Sequence, residues 1–216
     1  MKKTIIISGG DKGGIDFAKK YKDWEYDDRF IIACDKGYMY ALQENIIPDL
    51  IIGDFDSYKG KLPEDIMTLR LPVEKDDTDT MHAVREAVAN GSGMVVICCA
   101  FGGRADHLLS NIQAARFAAE HGLKAVLAGD DTIIYIVHDG EIVLEKDPRY
   151  SLSVLSLSDE STVSVSGTHY EVRDAVIRAD FPIGQSNEWK EDKACIKVTS
   201  GTVAVINSLL PLVQPL

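Results

Sequence analysis

Two textures in one chain limit what it can fold into. Up to about Ile133, short apolar runs alternate with segments of helical period. Thr4–Ile7, Phe30–Cys34, Leu50–Ile52, Met94–Ala100 and Lys124–Ala128 read as strands, and Ile15–Tyr21, Tyr38–Glu44, Asp79–Ala89 and Ala105–Glu120 as helices. In the third helix Ala83, Val84, Ala87 and Val88 fall on one face, the 3.6-residue period. Gly122, just beyond the fourth, suits its C-terminal cap. This alternation predicts a mostly parallel sheet covered on both faces, a three-layer α/β domain. Past Ile133, Val, Ser, Thr and Ile alternate with polar residues, as in Ser151–Leu157, Thr162–Ser166, Ala175–Arg178 and Ala194–Thr199. Short strands with close turn signals predict an antiparallel β-sandwich. The predicted division is an α/β domain over 1–138 and a β-sandwich over 139–216.

The apolar runs of the first half lead into carboxylates. Asp35 follows one in Cys34-Asp35-Lys36-Gly37, and Asp54 and Asp56 follow another in Gly53-Asp54-Phe55-Asp56-Ser57. In an open α/β sheet, ligands bind beyond the carboxyl ends of the strands. Asp54 and Asp56 are two apart, so an extended loop turns both to one face, which suits a hard cation such as Mg2+. Asp76, Asp77, Thr78 and Asp79, after Lys75, immediately precede a helix. There helix capping and dipole pairing explain the acids as well as ligand binding does. Gly102-Gly103-Arg104-Ala105-Asp106-His107 runs from a strand into a helix. Paired glycines at a helix start make an anion site, and Arg104 adds a bidentate donor for phosphate oxygens. Asp106 suits a cap, and Asn111 lies one turn beyond His107. The Ser8-Gly9-Gly10 turn carries neither the dinucleotide fingerprint nor the P-loop Lys-Ser/Thr pair.

The chain has 216 residues and a formal net charge of -11. Such a charge excludes a basic surface for nucleic acid or anionic membrane, but it favours a cationic small molecule. No apolar stretch reaches bilayer length, and Ile5-Ile6-Ile7 is too short for a signal-peptide core. Cys34, Cys98, Cys99 and Cys195 show no C-x-x-C spacing. They read as small buried residues of a cytoplasmic protein, with Cys98 and Cys99 on opposite faces of a strand. Trp24 lies in an acidic loop. Trp189 lies in a polar loop after Ser186-Asn187-Glu188, where it either packs or stacks on a flat cation.

Taken in order, these loops resemble the bacterial thiamine pyrophosphokinase family. The match runs from Pro48 through Ser57, then Lys75 to Asp79, then Gly102 to Asn111, and ends at Ser186-Asn187-Glu188. The resemblance implies diphosphate transfer from ATP to the thiamine hydroxyl, with Mg2+ as cofactor. It also implies a homodimer whose active sites are shared between the α/β domain of one subunit and the β domain of the other. Carried over, Asp54, Asp56 and Asp79 are the catalytic, metal-holding acids. Asp35, Asp76, Thr78 and Arg104 face ATP, and Asp106, Ser186, Asn187 and Trp189 face thiamine. Two departures stand out. The family often reads Ala-Asp-Gly-Gly where this chain has Cys34-Asp35-Lys36-Gly37, and many relatives carry Asn after the acidic pair corresponding to Asp130-Asp131. Two rival readings are a Mg2+-dependent phosphohydrolase built on the D-x-D loop and a non-catalytic nucleotide or thiamine sensor.

Overall fold

The computed structural model describes residues 1–20, 29–55, 60–72 and 76–210. The chain divides into two compact units, Met1–Asp130 and Asp131–Leu216.

The first unit contains β1 (Lys3–Ile7), α1 (Ile15–Lys20), β2 (Arg29–Cys34), α2 (Gly37–Gln43), β3 (Leu50–Gly53) and β4 (Met67–Arg70). It continues with α3 (Asp79–Ala89), β5 (Met94–Cys98), α4 (Ala105–Glu120) and β6 (Lys124–Ala128). Its strands lie in the order β4-β3-β2-β1-β5-β6, and every neighbouring pair is parallel. Ile5, Ile6, Ile7, Ile32, Ile51, Ile52 and Ile97 are fully buried. Buried strands without alternation are what helices on both faces require. From β1 the chain steps outward to β4, then returns to β5 on the other side of β1. With right-handed crossovers, that reversal puts α1 and α2 on one face and α3 and α4 on the other. Lys19 of α1 pairs with Glu44 at the end of α2 at 2.7 Å, and α3 packs on α4. The direction of progress reverses between β1 and β5, the place where α/β sheets open a ligand crevice.

Two local readings change. The strand expected over Met94–Ala100 ends at Cys98, and Cys99 takes a left-handed conformation with φ 54°. Its N–H donates to Gly13 O at 2.9 Å, and its carbonyl accepts from Gly10 N at 2.8 Å. The glycine turn after β1 thus captures Cys99 and takes it out of the ladder. Strand β4 has no counterpart in the sequence reading, because Met67, Leu69 and Arg70 are exposed at one end of the unit's strand order.

The second unit holds β7 (Thr132–His138), β8 (Glu141–Glu145), β9 (Tyr150–Ser156), β10 (Glu160–Ser166), β11 (Val172–Arg178), β12 (Lys193–Ser200) and β13 (Thr202–Leu209). One antiparallel set runs β7-β13-β9 and the other β11-β10-β12-β8. Inward residues of both sets share one core, including Leu152, Val163, Ile196 and Val203. Along β10, Ser161, Val163 and Val165 are buried while their neighbours are not, the two-residue period of a half-buried strand. The unit is an antiparallel sandwich. Among the described residues, no helix is long and apolar enough to cross a membrane.

Candidate functional site

The C-terminal ends of β1 and β2, together with the starts of α3 and α4, enclose a cavity of about 210 Å³. Ser8, Gly9 and Gly10 come from the end of β1, Asp35 and Lys36 from the end of β2, and Thr78, Asp79 and Thr80 from the start of α3. His107, Ser110 and Asn111 of α4 complete the lining.

Main-chain bonds fix this wall. Ser8 N donates to Cys98 O at 2.9 Å, Gly10 N to Cys99 O at 2.8 Å and Asp11 N to Phe101 O at 2.8 Å. The glycine turn is thereby laid directly on the segment leaving β5. The buried Tyr40 hydroxyl donates to Gly10 O at 2.9 Å. Ser8 and Thr80 share a buried hydroxyl–hydroxyl bond of 2.8 Å, joining β1 to α3. Asn111, also buried, donates from Nδ2 to Ala100 O at 2.9 Å. Farther along the turn, Gly14 N donates to Asp130 Oδ1 at 2.7 Å.

Asp35 adopts φ 45°, and its N–H donates to Ile52 O at 2.8 Å. A Cβ placed on Gly53 would stand 3.2 Å from Asp35 Cα. The loops carrying Asp35 and Asp54 therefore run side by side, and a side chain at Gly53 would have to push them apart by a few tenths of an ångström. Phe55 also takes a left-handed conformation, φ 61°, with the Arg70 guanidinium 5.1 Å from its ring centroid. Bulky residues rarely hold positive φ, and such strained positions cluster at functional loops. Thr78 caps α3, its Oγ1 accepting from Met81 N at 3.1 Å. Asp77 is engaged by Arg85. Asp76 is exposed. Cys34 Sγ donates to the Asp79 carbonyl at 3.6 Å, tying the end of β2 to the start of α3.

The cavity thus unites Asp35, Thr78 and Asp79, with Asp54 on the neighbouring strand end. Arg104 and Asp106 lie outside its lining, exposed at the start of α4 and bound to each other, Nε to Oδ1 at 3.1 Å and Nη2 to Oδ2 at 2.5 Å. The hydrogen bond from Arg104 holds the Asp106 carboxyl below its ordinary range. Asp56, Ser57, Lys75 and Trp24 lie outside the described residues. Among those described, no group of three or more His, Cys, Asp or Glu gathers in the manner of a metal site.

The second unit has its own cavity, of about 290 Å³, walled by Val154, Val163, Val165, Val172 and Ile177, with Tyr170, Gln185 and Asn187 at its polar side. Ser186 takes φ 55°, and its N–H donates to Ser153 Oγ at 3.0 Å. Asn187 accepts from Tyr170 N and Glu188 N and donates to Thr168 Oγ1 and Tyr170 O, so its amide is used in shaping the loop. Trp189 Nε1 donates to Tyr150 O at 2.9 Å, while its ring packs on the sandwich core.

Sequence reasoning did not single out Thr80, Ser110 or Tyr40. Thr80 and Tyr40 act through partners far along the chain, Ser8 and Gly10, which leaves no local pattern to read.

The profile of the thiamin pyrophosphokinase catalytic domain matches residues 21–127, and that of the thiamin pyrophosphokinase vitamin B1 binding domain matches residues 140–203. The thiamine pyrophosphokinase of Bacillus subtilis (strain 168) is 28% identical over 215 residues, covering 96% of this chain and 99% of that one. The crystal structure of the Bacillus subtilis thiamine pyrophosphokinase superposes with a TM-score of 0.84 at 26% identity, covering 96% of this chain and 99% of the other. A thiamin pyrophosphokinase family protein from Enterococcus faecalis gives a TM-score of 0.76 at 25% identity, covering 98% of this chain and all of the other. The thiamin pyrophosphokinase of Geobacillus thermodenitrificans, at 22% identity and TM-score 0.79, shares the fold over 99% of this chain and 100% of its own.

Proposed function

This chain belongs to the thiamine pyrophosphokinase family, and we propose that the cavity at the ends of β1 and β2 is its nucleotide site. The enzyme transfers the diphosphate of ATP to thiamine, giving thiamine diphosphate and AMP. One observation carries the placement: Asp35 from the end of β2 and Asp79 from the start of α3 line one crevice together with Lys36, Thr78 and the Gly9-Gly10 turn. Glycines allow a polyphosphate to approach the main chain closely.

In this reading Asp54, Asp56 and Asp79 are the catalytic acids and hold Mg2+. The side-by-side approach of the Asp35 and Asp54 loops at Gly53 supports the fit, because it brings together two loops that carry carboxylates, the donors a hard cation takes. Mg2+, when bound, neutralises charge on the transferring phosphates. Asp35, Asp76, Thr78 and Arg104 orient ATP. Asp106, Ser186, Asn187 and Trp189 serve thiamine, whose thiazolium charge suits an acidic surface with an aromatic beside it. The thiamine hydroxyl attacks the β-phosphorus in line, a carboxylate of this edge takes its proton, and AMP leaves. Sharing of sites between two copies, as the resemblance implies, makes the working unit a cytoplasmic homodimer.

Incubation with ATP, thiamine and Mg2+ tests the reaction. AMP and thiamine diphosphate in equal amounts are expected, and inorganic phosphate alone points to the phosphohydrolase. Asp54→Asn should lower turnover about 100-fold or more. Activity near wild type across Mg2+ concentrations removes Asp54 from the metal site. Light scattering should give twice the chain mass, and a monomer that keeps full activity refutes shared sites.

A further inference from the structure

Most cations around the candidate site are engaged by the protein's own carboxylates. Arg104 is held by Asp106, Arg85 by Asp77 and Lys12 by Glu44. Lys36 differs. It lines the cavity beside Gly9, Gly10 and Asp35, yet among the described residues no carboxylate forms an ion pair with it. Its ammonium rests instead on Tyr40, four residues along, with Nζ 5.3 Å from the ring centroid. The Tyr40 hydroxyl spends its proton on Gly10 O, so it meets the ammonium as an acceptor. That contact, more than any other, holds the Lys36 pKa above its ordinary value.

The consequence is a cation anchored to the cavity wall that, among the described residues, feels Asp11 only at a distance and forms no ion pair. Tyr40 is buried, so the support under Lys36 is rigid. A Cβ added to Gly9 would stand 3.7 Å from Lys36 Cβ, so the lysine stem also lies against the glycine turn. The rest of the charged lining is Asp35 and Asp79, which repel a polyanion. An ammonium held there without a carboxylate in ion-pair contact gains most from a ligand phosphate, and charge-assisted bonds of this kind are the stronger ones. Thiamine, itself cationic, gains nothing from it.

We propose that Lys36 is a substrate-positioning residue that binds the phosphate chain of ATP. The assignment rests on the reading of this cavity as the nucleotide site. Lys36 stands where the Ala-Asp-Gly-Gly pattern noted above has a glycine.

The test compares wild type, Lys36→Met and Lys36→Arg as full-length proteins. Calorimetric titration with ATP and Mg2+, and separately with inorganic tripolyphosphate, needs no turnover. Lys36→Met should weaken both ligands about 10-fold and flatten the salt dependence of binding. Lys36→Arg should restore affinity to within about threefold. In the steady state, the KM for ATP should rise while kcat and the KM for thiamine stay within about twofold. Equal affinities in wild type and Lys36→Met overturn the assignment, as does Lys36→Arg behaving like Lys36→Met. Wild type that binds thiamine but neither phosphate ligand overturns the nucleotide site itself, and the Lys36 assignment with it.

Discussion

Gly9 and Gly10 are adjacent in one turn and differ only in what stands over them. An added Cβ on Gly10 would lie 2.6 Å from Cys99 O and 2.7 Å from Phe101 O, whereas on Gly9 its nearest neighbour is 3.7 Å away. Ordinary contact begins at 3.4 Å, so Gly10→Ala must push the turn back by 3.4 − 2.6, or about 0.8 Å. Two hydrogen bonds of 2.8 Å anchor the turn at that point, from Gly10 N and Asp11 N. Stretched by that amount they pass about 3.5 Å and no longer count as bonds. Each contributes about 1 kcal/mol net, and a buried partner left unsatisfied costs ~1–3 kcal/mol. The sum is roughly 3 kcal/mol, or about 6–12 °C in Tm for a chain of this size. The same retreat displaces one wall of the cavity, and a shift approaching 1 Å costs up to about 100-fold in rate. Calorimetric melting and an AMP-release assay on both alanine variants read the two effects. Gly9→Ala should stay within about 1 °C and twofold of wild type. If Gly10→Ala matches Gly9→Ala in melting and in kcat/KM, the reasoning from close approach is refuted.

Two further perturbations follow from the geometry. Glu44 receives Lys12 and Lys19, each at 2.7 Å, and these bonds pull its carboxyl from 4.5 down to about 2. A folded-state value below the unfolded one means the stabilisation is present above about pH 4.5 and lost as pH falls toward 2. The Tm gap between wild type and Glu44→Gln should therefore close over that window, and a gap independent of pH from 6 to 2 contradicts the ion-pair account. Trp189→Ala should raise the KM for thiamine more than that for ATP. Trp189→Phe, which loses the bond to Tyr150 O and part of the ring packed on the core, should cost at least about 1 kcal/mol in stability; an unchanged thiamine KM in both removes Trp189 from the substrate.

The α/β half was legible because burial on both faces leaves continuous apolar runs, as at Ile5-Ile6-Ile7. Strand β4 was not, since an exposed four-residue edge carries no pattern. Strand β8 carries glutamates at both ends, which hides its two-residue period. The overlong reading of β5 had a different cause. Cys99 is as apolar as its neighbours, and only the distant Gly10 and Gly13 draw it out of the strand. At the site, acids at strand ends could be read from topology. The pairing of Arg104 with Asp106 could not, because a guanidinium next to a carboxylate in sequence says nothing about which partner each prefers. Tyr40 was invisible because its side chain serves a carbonyl on another element.

The wall formed by the glycine turn and the 99–101 segment has a consequence for how such a site can diversify. Its two glycines differ in tolerance: Gly9 has room for a side chain and Gly10 has none. At Gly10 a substitution can only add bulk and break the wall. Variation that retunes the site for another phosphate ligand must then enter at the rim, through residues such as Lys36, Thr78, His107 and Ser110. Gly10 is kept or the wall is lost, and the rim is where one lineage can differ from the next.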